Sequence, residues 1–463
     1  GTGSSDTTSA DTTPTEDASA DGASEDAPTG EASTGAAGVS RSTSAGDPRM
    51  PDLGSDDLDV EHYDVDLRFE PDLTGVEGTV TSSVTLRKRT DRLAFDADGL
   101  DVIDAVVDGA PADFRVDGRE LLIDLAAPSE AGASLTVEVT YRAAVADSAW
   151  SWDAAGLFAG ADGVWSVNEP DGLSTWMPVS DHPTDKATWT FDVTVSDGLT
   201  AVANGRYVGT TAGDGVATWH WDQDEPMATY LVTMLVGDYA LVDGGTSATG
   251  VELAHAVLSD SQDALDGYRE VTDRQLSYFT ELFGPYPFDR YVLALADSLP
   301  GLAMETQGLS LFSIDDLDGS LGPLQHLLLA HELAHQWFGN AVSPESWNDI
   351  WLNEGFATYA QWMWLEEAGI GTVDGYAGAA LGAMGDCLPL SRPCELFGPL
   401  VYEGGGATAH ALRLTVGDDA FFAGLRAWVE TYLDSAASTA DLQAVMEQAS
   451  GRDLSQFFAE WVD

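Results

Sequence analysis

This sequence of 463 residues has few basic residues and only two cysteines. Its 19 Lys and Arg stand against 78 Asp and Glu, a formal net charge of -59, and lysine occurs only at Lys88 and Lys186. Because such a surface repels phosphate, nucleic acid is excluded as a partner. The charge favours cationic ligands, but an adaptation to high salt or for solubility explains it at least equally well. The chain also lacks any apolar run of about eighteen residues and any signal-peptide pattern, so no transmembrane segment is predicted.

Residues 1–54 differ from the rest of the chain in composition. Up to Met50 they contain no aromatic residue, no leucine and no isoleucine. Such a segment buries too little apolar surface to offset the entropy of ordering, so we predict a disordered, acidic tether rich in Ser, Thr, Ala and Gly. This composition favours an exported protein, extracellular or at the cell surface, with a lipid anchor upstream of the given chain as one option. A cytoplasmic protein with a disordered tail is the alternative.

The two cysteines, Cys387 and Cys394, are separated by six residues and flanked by Pro389 and Pro393. In an exported protein this arrangement favours a small disulfide-closed loop, whereas in the cytosol the residues would be free thiols. The spacing fits no zinc knuckle.

Hydrophobic periodicity predicts a multidomain α+β protein. Over residues 55–243, apolar residues such as Tyr63, Val65 and Leu67 alternate with polar neighbours, which is typical of an antiparallel β sandwich or saddle-shaped β domain. After Val251 the spacing becomes helical, as from Ala264 to Leu282. We therefore predict an all-β domain over residues 55–243 and a mainly helical domain over residues 244–463.

A short motif carries the most specific chemical signal. His331 and His335 lie four residues apart with Glu332 between them, and Glu354 follows after eighteen further residues. On a helix, two histidines at this spacing share one face and can bind a single Zn²⁺, with the intervening glutamate beside the metal's water. Catalytic zinc takes three protein ligands, and Glu354 is the candidate for the third.

This pattern, H-E-x-x-H followed by a glutamate within N-E-G-F-A, resembles the gluzincin metallopeptidases of the aminopeptidase N family. Similar stretches run from about residue 55 to the C-terminus, among them W-N-D-I-W-L-N-E-G-F-A, F-G-P-Y-P-F-D-R-Y and N-E-P-D-G-L-S-T-W-M-P-V-S-D-H-P-T-D-K. The resemblance implies a thermolysin-like, mainly helical catalytic domain with a small sheet, and one Zn²⁺ per chain. Larger relatives continue into a long helical domain, so it also implies a compact member with a more open cleft.

The resemblance assigns roles at several further positions. Glu332 would be the catalytic base, and Tyr402 would donate a hydrogen bond to the oxyanion. Glu305 would bind the substrate's free amine, with Ala303 and Met304 beside it in a stretch that the family usually writes G-A-M-E-N. Here Leu302 and Thr306 replace the usual glycine and asparagine, which weakens the expectation that the backbone of this stretch contacts the substrate. Glu169 would add a second carboxylate to the amine site. The remaining histidines have no partner at ligand spacing and are predicted to be structural: His62, His182, His220, His255, His326 and His410.

The leading hypothesis is a zinc aminopeptidase that acts on peptides with a free N-terminal amine. A zinc endopeptidase or another metallohydrolase on the same fold is the alternative among enzymes, because the metal site does not decide which end of a peptide is held. A non-catalytic peptide-binding module is the alternative outside enzymes. The sequence leaves open the preference of the first substrate pocket and the oligomeric state.

Overall fold

The computed structural model describes residues 38–146, 155–296, 303–317, 319–383 and 389–463. The chain divides after Gly38, and the second unit runs from Val39 to Asp463. The tether predicted for residues 1–54 therefore extends too far, while its first 37 residues lie outside the described part. Asp47 and Leu53 are buried, and the Asp47 carboxylate accepts a hydrogen bond from the backbone nitrogen of Trp347. Polar contacts order residues 39–54, and a prediction based only on apolar composition does not take such contacts into account.

The first part of the unit is built from strands. The period-two pattern forms because alternate side chains are buried; Tyr63, Val65 and Leu67 are all fully buried. The strands are β1 Leu58–Phe69, β2 Gly75–Leu86, β3 Thr90–Asp96, β4 Asp101–Val107, β5 Ala110–Pro111, β6 Phe114–Asp117, β7 Glu120–Ser129, β8 Ser134–Ala144, β9 Gly156–Ala159, β10 Gly163–Val167, β11 Ala187–Ser196, β12 Thr200–Ala203, β13 Arg206–Ala212, β14 Val216–Met227 and β15 Met234–Gly237.

These strands form three sheets. An eight-stranded sheet has the order β13-β14-β11-β1-β2-β8-β4-β5, beside a four-stranded sheet β12-β15-β10-β9 and a three-stranded sheet β3-β7-β6. The pairing is antiparallel except between β1 and β11, which run parallel. The predicted antiparallel β domain is thus confirmed, with one parallel pair that no local pattern indicates.

The second part combines helices with a small mixed sheet of order β16-β17-β18-β20-β19. Strand β16 crosses the predicted boundary between residues 243 and 244. The elements are β16 Tyr239–Thr246, β17 Glu252–Leu258, α1 Asp266–Phe283, β18 Arg290–Ala296, β19 Ala303–Met304, β20 Leu309–Ser313, α2 Pro323–Ala334, β21 Val342–Pro344, α3 Trp351–Glu367, α4 Val373–Ala383, α5 Gly405–Val416, α6 Asp418–Tyr432, β22 Ser435–Ala437, α7 Thr439–Ser450 and α8 Ser455–Trp461.

The mainly helical second part with its small sheet confirms the predicted architecture. Within the described ranges, none of the helices combines the length and apolar character needed to cross a membrane. Cys394 is disulfide-bonded. Cys387 lies outside the described residues, so the Cys387–Cys394 bond stays a prediction.

Candidate metal centre

The three predicted metal ligands lie on or next to two packed helices: His331 in α2, His335 directly after its last residue, and Glu354 in α3. Helix α2 begins with Pro323 at its first position, and the Gln325 side chain accepts a hydrogen bond from the Gly322 nitrogen. Because residues four apart are neighbours on a helix, His331 and His335 face the same side at the end of α2. Glu354 lies in the first turn of α3, a helix that is buried along almost its whole length. The third carboxylate is therefore held inside the protein.

The ligand atoms converge at the spacing that zinc requires. The Oε2 atom of Glu354 lies 3.2 Å from Nε2 of His331 and 3.4 Å from Nε2 of His335. Two ligand atoms about 2.1 Å from one zinc ion, at a tetrahedral angle, lie about 3.4 Å apart. The three residues thus fit a tetrahedral zinc site with one position left for water or substrate.

Hydrogen bonds at the other ring nitrogens orient both histidines. Nδ1 of His331 lies 2.9 Å from Oε1 of Gln361, and Nδ1 of His335 lies 3.1 Å from the carbonyl oxygen of Phe338. Since both partners are acceptors, each Nδ1 carries the proton and each Nε2 is free to bind a metal. Sequence reasoning missed Gln361. Its position seven residues after Glu354, on the same face of α3, is the signal that could have found it.

Glu332 lies among several buried carboxyl groups. It is 4% exposed, and burial raises its pKa well above the usual value, helped by the carboxylates of Glu305 and Glu354. Burial also raises the pKa of Glu354, but His335 and His331 lower it to about 2. Burial lowers the pKa of His335, but Glu305 and Glu354 raise it to about 10. The cluster therefore stabilises positive charge at its centre, as a divalent cation would provide.

Glu305 projects from the end of an edge strand. Ala303 and Met304 form β19, the terminal strand of the five-stranded sheet, which pairs with β20 through Phe312 and Leu311. The Glu305 side chain is 4% exposed, and its Oε1 atom lies 3.9 Å from Nδ1 of His335. That oxygen has no hydrogen-bond partner within the described residues. A buried carboxylate oxygen without a hydrogen-bond donor is costly, so a donor or cation bound beside it would stabilise it.

The backbone of Glu305 is tied to the end of α2. Its carbonyl oxygen accepts hydrogen bonds from Nε2 of Gln336 at 2.9 Å and from Nδ2 of Asn340 at 2.6 Å. The Gln336 side chain also accepts a hydrogen bond from Gly308. These contacts fix the amine-binding candidate relative to the metal ligands. Sequence reasoning missed Gln336 and Asn340, which are separated from Glu305 by about thirty residues and carry no local signal.

Glu169 and Tyr402 complete the surroundings. Glu169 follows β10, and its buried Oε1 atom has no hydrogen-bond partner in the described part of the chain. Tyr402 lies in a π-helical turn, Leu400–Gly404, and its ring stacks on His331 with a centroid distance of 5.9 Å. Burial raises the pKa of the Tyr402 hydroxyl well above its usual value, with Glu354 adding to the shift. The hydroxyl therefore remains a hydrogen-bond donor at neutral pH.

One cavity of about 870 Å³ brings all nine predicted site residues together. One wall comes from the β domain, with Asp98, Arg119, Glu169 and Asp171. The other comes from the helical part, with leucines of α2 and the segment Leu396–Pro399. Its volume suits a short peptide rather than a single small ion. The arrangement can bind a metal, activate water beside it and hold a cationic group, which defines the class of metal-dependent hydrolases.

Comparison with known proteins identifies the family. Residues 59–231 match the Peptidase M1 N-terminal domain, and residues 268–461 match the Peptidase family M1 domain. The crystal structure of an M1 zinc metallopeptidase from Deinococcus radiodurans superposes with a TM-score of 0.82 at 31% identity, covering 91% of this chain and 97% of that one. A mutant of that enzyme has been solved bound to a Tyr-Ser-Ala substrate. The chain belongs to peptidase family M1, a family with zinc as its metal.

Curated relatives are longer. Aminopeptidase N of Streptomyces lividans is 28% identical over 468 residues, which is 88% of this chain and 50% of the relative. Aminopeptidase N of Lactococcus lactis is 30% identical over 320 residues, which is 62% of this chain and 37% of the relative. The chain therefore spans about half or less of the length of these two relatives.

Proposed function

We propose that this protein is a zinc aminopeptidase that removes residues from the free N-terminus of peptides. The single observation that carries the proposal is the unpartnered, buried Oε1 atom of Glu305 beside the metal ligands. A free α-amino group is a cation that such an oxygen would bind. An endopeptidase would have no use for it, because an internal peptide bond offers no charged amine at this point.

The ligands and their neighbours divide the work of hydrolysis. His331, His335 and Glu354 would hold the zinc, which when bound would polarise the scissile carbonyl and lower the pKa of a water. Glu332 accepts the proton of that water and returns it to the departing amine. Tyr402 donates a hydrogen bond from its hydroxyl to the oxyanion of the tetrahedral intermediate. Glu305 and Glu169 bind the substrate ammonium and so place the first peptide bond at the site.

The binding pocket also fits a short peptide chain. Ala303 and Met304 form an edge strand that lines the cavity, so their free backbone groups can pair with an extended substrate. The D. radiodurans relative bound to a tripeptide supports this size of substrate. Peptides are therefore the proposed partners.

The decisive experiment compares free-amine aminoacyl substrates with their N-acetylated forms. Acetylation removes the charge and leaves buried carboxylates unpaired, so discrimination should amount to several kcal/mol, on the order of a thousandfold in kcat/KM. Glu305→Gln should remove roughly a hundredfold of kcat/KM for free-amine substrates and leave the slow cleavage of acetylated ones unchanged. Asp98→Asn is the matched control, because Asp98 is a cavity carboxylate already paired with Arg119 at 3.2 Å.

Equal cleavage of free and acetylated peptides would replace the proposal with a zinc endopeptidase. Absence of cleavage of both, with zinc bound, would leave a peptide-binding module. A greater loss of kcat/KM for free-amine substrates in Asp98→Asn than in Glu305→Gln would show that the overall charge of the cavity, rather than an amine site, sets the preference for a free amine.

We also propose that the protein is exported. The disulfide-bonded state of Cys394 supports this location, because disulfides persist in oxidising compartments. A lipid anchor upstream of the given chain remains a prediction. Thiol titration of protein isolated anaerobically from its native cells and unfolded without reductant should detect no free thiol. Two titratable thiols per chain would favour the cytoplasm.

A further inference from the structure

Residues 39–54 connect the β domain with the helical part of the chain, and we call them the strap. They precede both matched family domains, yet they belong to the same compact unit as the rest of the chain. Both ends of the strap contact the β domain. Arg41 donates hydrogen bonds to the two carboxylate oxygens of Asp91 at 2.6 and 2.7 Å, and the Gly54 nitrogen donates to Oδ2 of Asp96 at 2.9 Å. The middle of the strap contacts the helical part at two residues.

Asp47 connects the strap to the segment that carries the metal ligand Glu354. The Asp47 side chain is buried, and its Oδ2 atom accepts a hydrogen bond from the Trp347 nitrogen at 2.7 Å and lies 3.2 Å from Nε2 of His182. Burial raises the pKa of Asp47, but the hydrogen bonds from His182 and from the Trp347 backbone lower it well below its usual value. Trp347 begins the 3-10 turn that leads into α3, and Glu354 follows seven residues later. An ionised carboxylate at the entry to a helix is a favourable anchor.

Arg49 connects the strap to the segment that leads to Tyr402. The Arg49 guanidinium group donates hydrogen bonds to the carbonyl oxygens of Pro393 at 3.0 Å and Cys394 at 3.4 Å. Both carbonyls belong to an irregular segment that continues into Leu396–Pro399, which is part of the cavity wall. The π-helical turn with Tyr402 follows directly. Because hydrogen bonds from a charged donor are stronger than neutral ones, Arg49 restrains a segment that has no helix or strand of its own.

The backbone passes this restraint on to Tyr402. The nitrogens of Val401 and Tyr402 both donate to the carbonyl oxygen of Gly398, at 2.9 and 3.4 Å. The Tyr402 ring in turn stacks on the metal ligand His331. A shift of the segment at Cys394 therefore moves the hydroxyl group of Tyr402. At a catalytic site, misplacement by about 1 Å can lower the rate by about a hundredfold.

We propose that the strap is a positioning element of the active site, in which Asp47 holds Glu354 in place and Arg49 holds Tyr402 in place. Neither Asp47 nor Arg49 is among the described residues that line the cavity, so both act through the residues that they hold. The effect of Arg49 on turnover rests on the proposed aminopeptidase function, whereas the effect of Asp47 rests only on the metal centre. A segment outside both family domains thus determines how well the site is aligned.

The first test compares kcat of Arg49→Met and Arg426→Met on a free-amine substrate. Arg49→Met should lower kcat about tenfold, because Tyr402 is no longer held where the oxyanion forms. Arg49→Lys, which can still donate to one of the two carbonyls, should recover kcat to within about threefold of the wild type. Arg426 is the matched control, because it also donates to two carbonyls, those of Glu281 and Leu282, at an exposed position. Arg426→Met should change kcat by less than about twofold.

A double-mutant cycle separates positioning of Tyr402 from a general effect on stability. In the Tyr402→Phe background the hydroxyl group is already absent, so Arg49→Met should lower kcat by less than about twofold further. Equal reduction of kcat in the two backgrounds would overturn the role of Arg49, because the strap would then act elsewhere than at Tyr402. An equally large reduction in Arg426→Met, or no recovery in Arg49→Lys, would overturn it as well.

The second test measures zinc affinity by competition with a chelator and needs no turnover. Asp47→Asn replaces one acceptor oxygen with a donor, so the entry to α3 shifts and zinc should bind at least about tenfold more weakly through Glu354. Asp57→Asn is the matched control, because Asp57 is also buried and its carboxylate accepts hydrogen bonds from Ser40 and Ser42 of the strap. Its zinc affinity should stay within about twofold of the wild type. Equal weakening in the two variants, or unchanged affinity in Asp47→Asn, would overturn the role of Asp47. The Arg49 cycle tests the strap independently where Asp47→Asn does not fold.

The outcomes distinguish this inference from the proposed function. If free-amine substrates are cleaved and Arg49→Met keeps the wild-type kcat, the strap does not position Tyr402 and the aminopeptidase function stands. If free-amine substrates are not cleaved, the function is wrong, and the zinc affinity of Asp47→Asn still tests the strap. Weaker zinc binding in Asp47→Asn than in Asp57→Asn would then support the strap as a positioning element, and equal binding would overturn it.

Discussion

Two glycines hold the helix that carries Glu354 against the helix that follows Tyr402. Gly355 comes directly after Glu354 in α3, and Gly405 begins α5. A methyl group added to Gly355 would stand 2.7 Å from the Cα of Gly405, and a methyl group added to Gly405 would stand 2.7 Å from the Cα of Gly355. Both atoms met are backbone atoms, so no side chain can move aside. The two helices would have to separate.

The size of the effect follows from these distances. Moving the added carbon from 2.7 Å to ordinary contact, which begins at 3.4 Å, separates the helices by about 0.7 Å, and overpacking of this kind costs about 1–3 kcal/mol. Glu354 and Tyr402 belong to the two segments that separate. Since misplacement by about 1 Å at a catalytic site can cost a hundredfold, we expect Gly355→Ala and Gly405→Ala each to lower kcat by roughly tenfold to a hundredfold.

The assay combines steady-state kinetics on a free-amine substrate, zinc analysis and thermal unfolding. Gly378→Ala is the matched control, because Gly378 lies in α4 and an added carbon there meets nothing within 4 Å. Alanine in a helix is favoured over glycine by about 0.5–1 kcal/mol, so this control should be as stable as the wild type or more stable. If Gly355→Ala and Gly405→Ala keep wild-type kcat and thermal midpoint, the close contact does not position the site.

Three further substitutions test individual roles in the centre. Glu332→Gln should keep zinc and lower kcat at least about a hundredfold, because no proton acceptor remains; normal turnover with zinc bound would reassign the base. Tyr402→Phe should lower kcat by roughly a hundredfold with little change in KM, through loss of one oxyanion donor; a change in KM alone would make it a binding residue. Gln361→Leu should weaken zinc affinity about tenfold to a hundredfold in a chelator competition, because His331 loses its Nδ1 acceptor; unchanged affinity would contradict that orientation.

A feature of the fold or of the metal centre can be predicted from the sequence when the residues that form it are close together in the chain. The histidine pair could be predicted because residues four apart on a helix share a face, and alternation predicted the strands because alternate residues are buried. The parallel pairing of β1 with β11 could not be predicted, because it pairs residues far apart in the sequence, such as His62 and Thr188. The same holds for the contacts of Gln336 and Asn340 with the Glu305 carbonyl. Such contacts depend on the tertiary arrangement, which leaves no periodic pattern.

The predicted C-terminal limit of the tether, residue 54, was wrong for a different reason. Residues 39–54 contain few apolar residues, so composition predicts disorder. In the structure, Asp47 accepts hydrogen bonds from backbone nitrogens of Arg49, Met50 and Trp347. A buried carboxylate with several donors orders a polar segment at low cost, because each bond satisfies a group that would otherwise be buried alone. A prediction from composition considers only apolar surface, so it misses the ordering effect of a buried carboxylate such as Asp47.

Lys186 is another residue whose contact only the fold reveals, and it gives the last prediction. It precedes β11, and its ammonium group donates hydrogen bonds to the carbonyl oxygens of Asn340 at 2.7 Å and Ala341 at 3.1 Å. These carbonyls belong to the segment between the two metal-ligand helices. Burial lowers the pKa of Lys186 from 10.5 to about 7, although Asp434 nearby opposes the shift. The folded protein therefore releases a proton that the unfolded chain keeps.

The sign of the pH dependence follows directly. Between pH 7 and about 10.5 unfolding takes up this proton, so rising pH stabilises the folded state, by at most about 1.4 kcal/mol per pH unit for one proton. Lys186→Met removes the titrating group and with it this contribution. The difference in thermal midpoint between wild type and Lys186→Met should thus shift in favour of the wild type as pH rises from 7 to 9.5. Lys88→Met is the matched control, because Lys88 is exposed and pairs with Asp56 at the surface, and its difference from the wild type should stay nearly constant over the same range. A difference for Lys186→Met that is equally constant would mean that Lys186 keeps its proton in the folded protein.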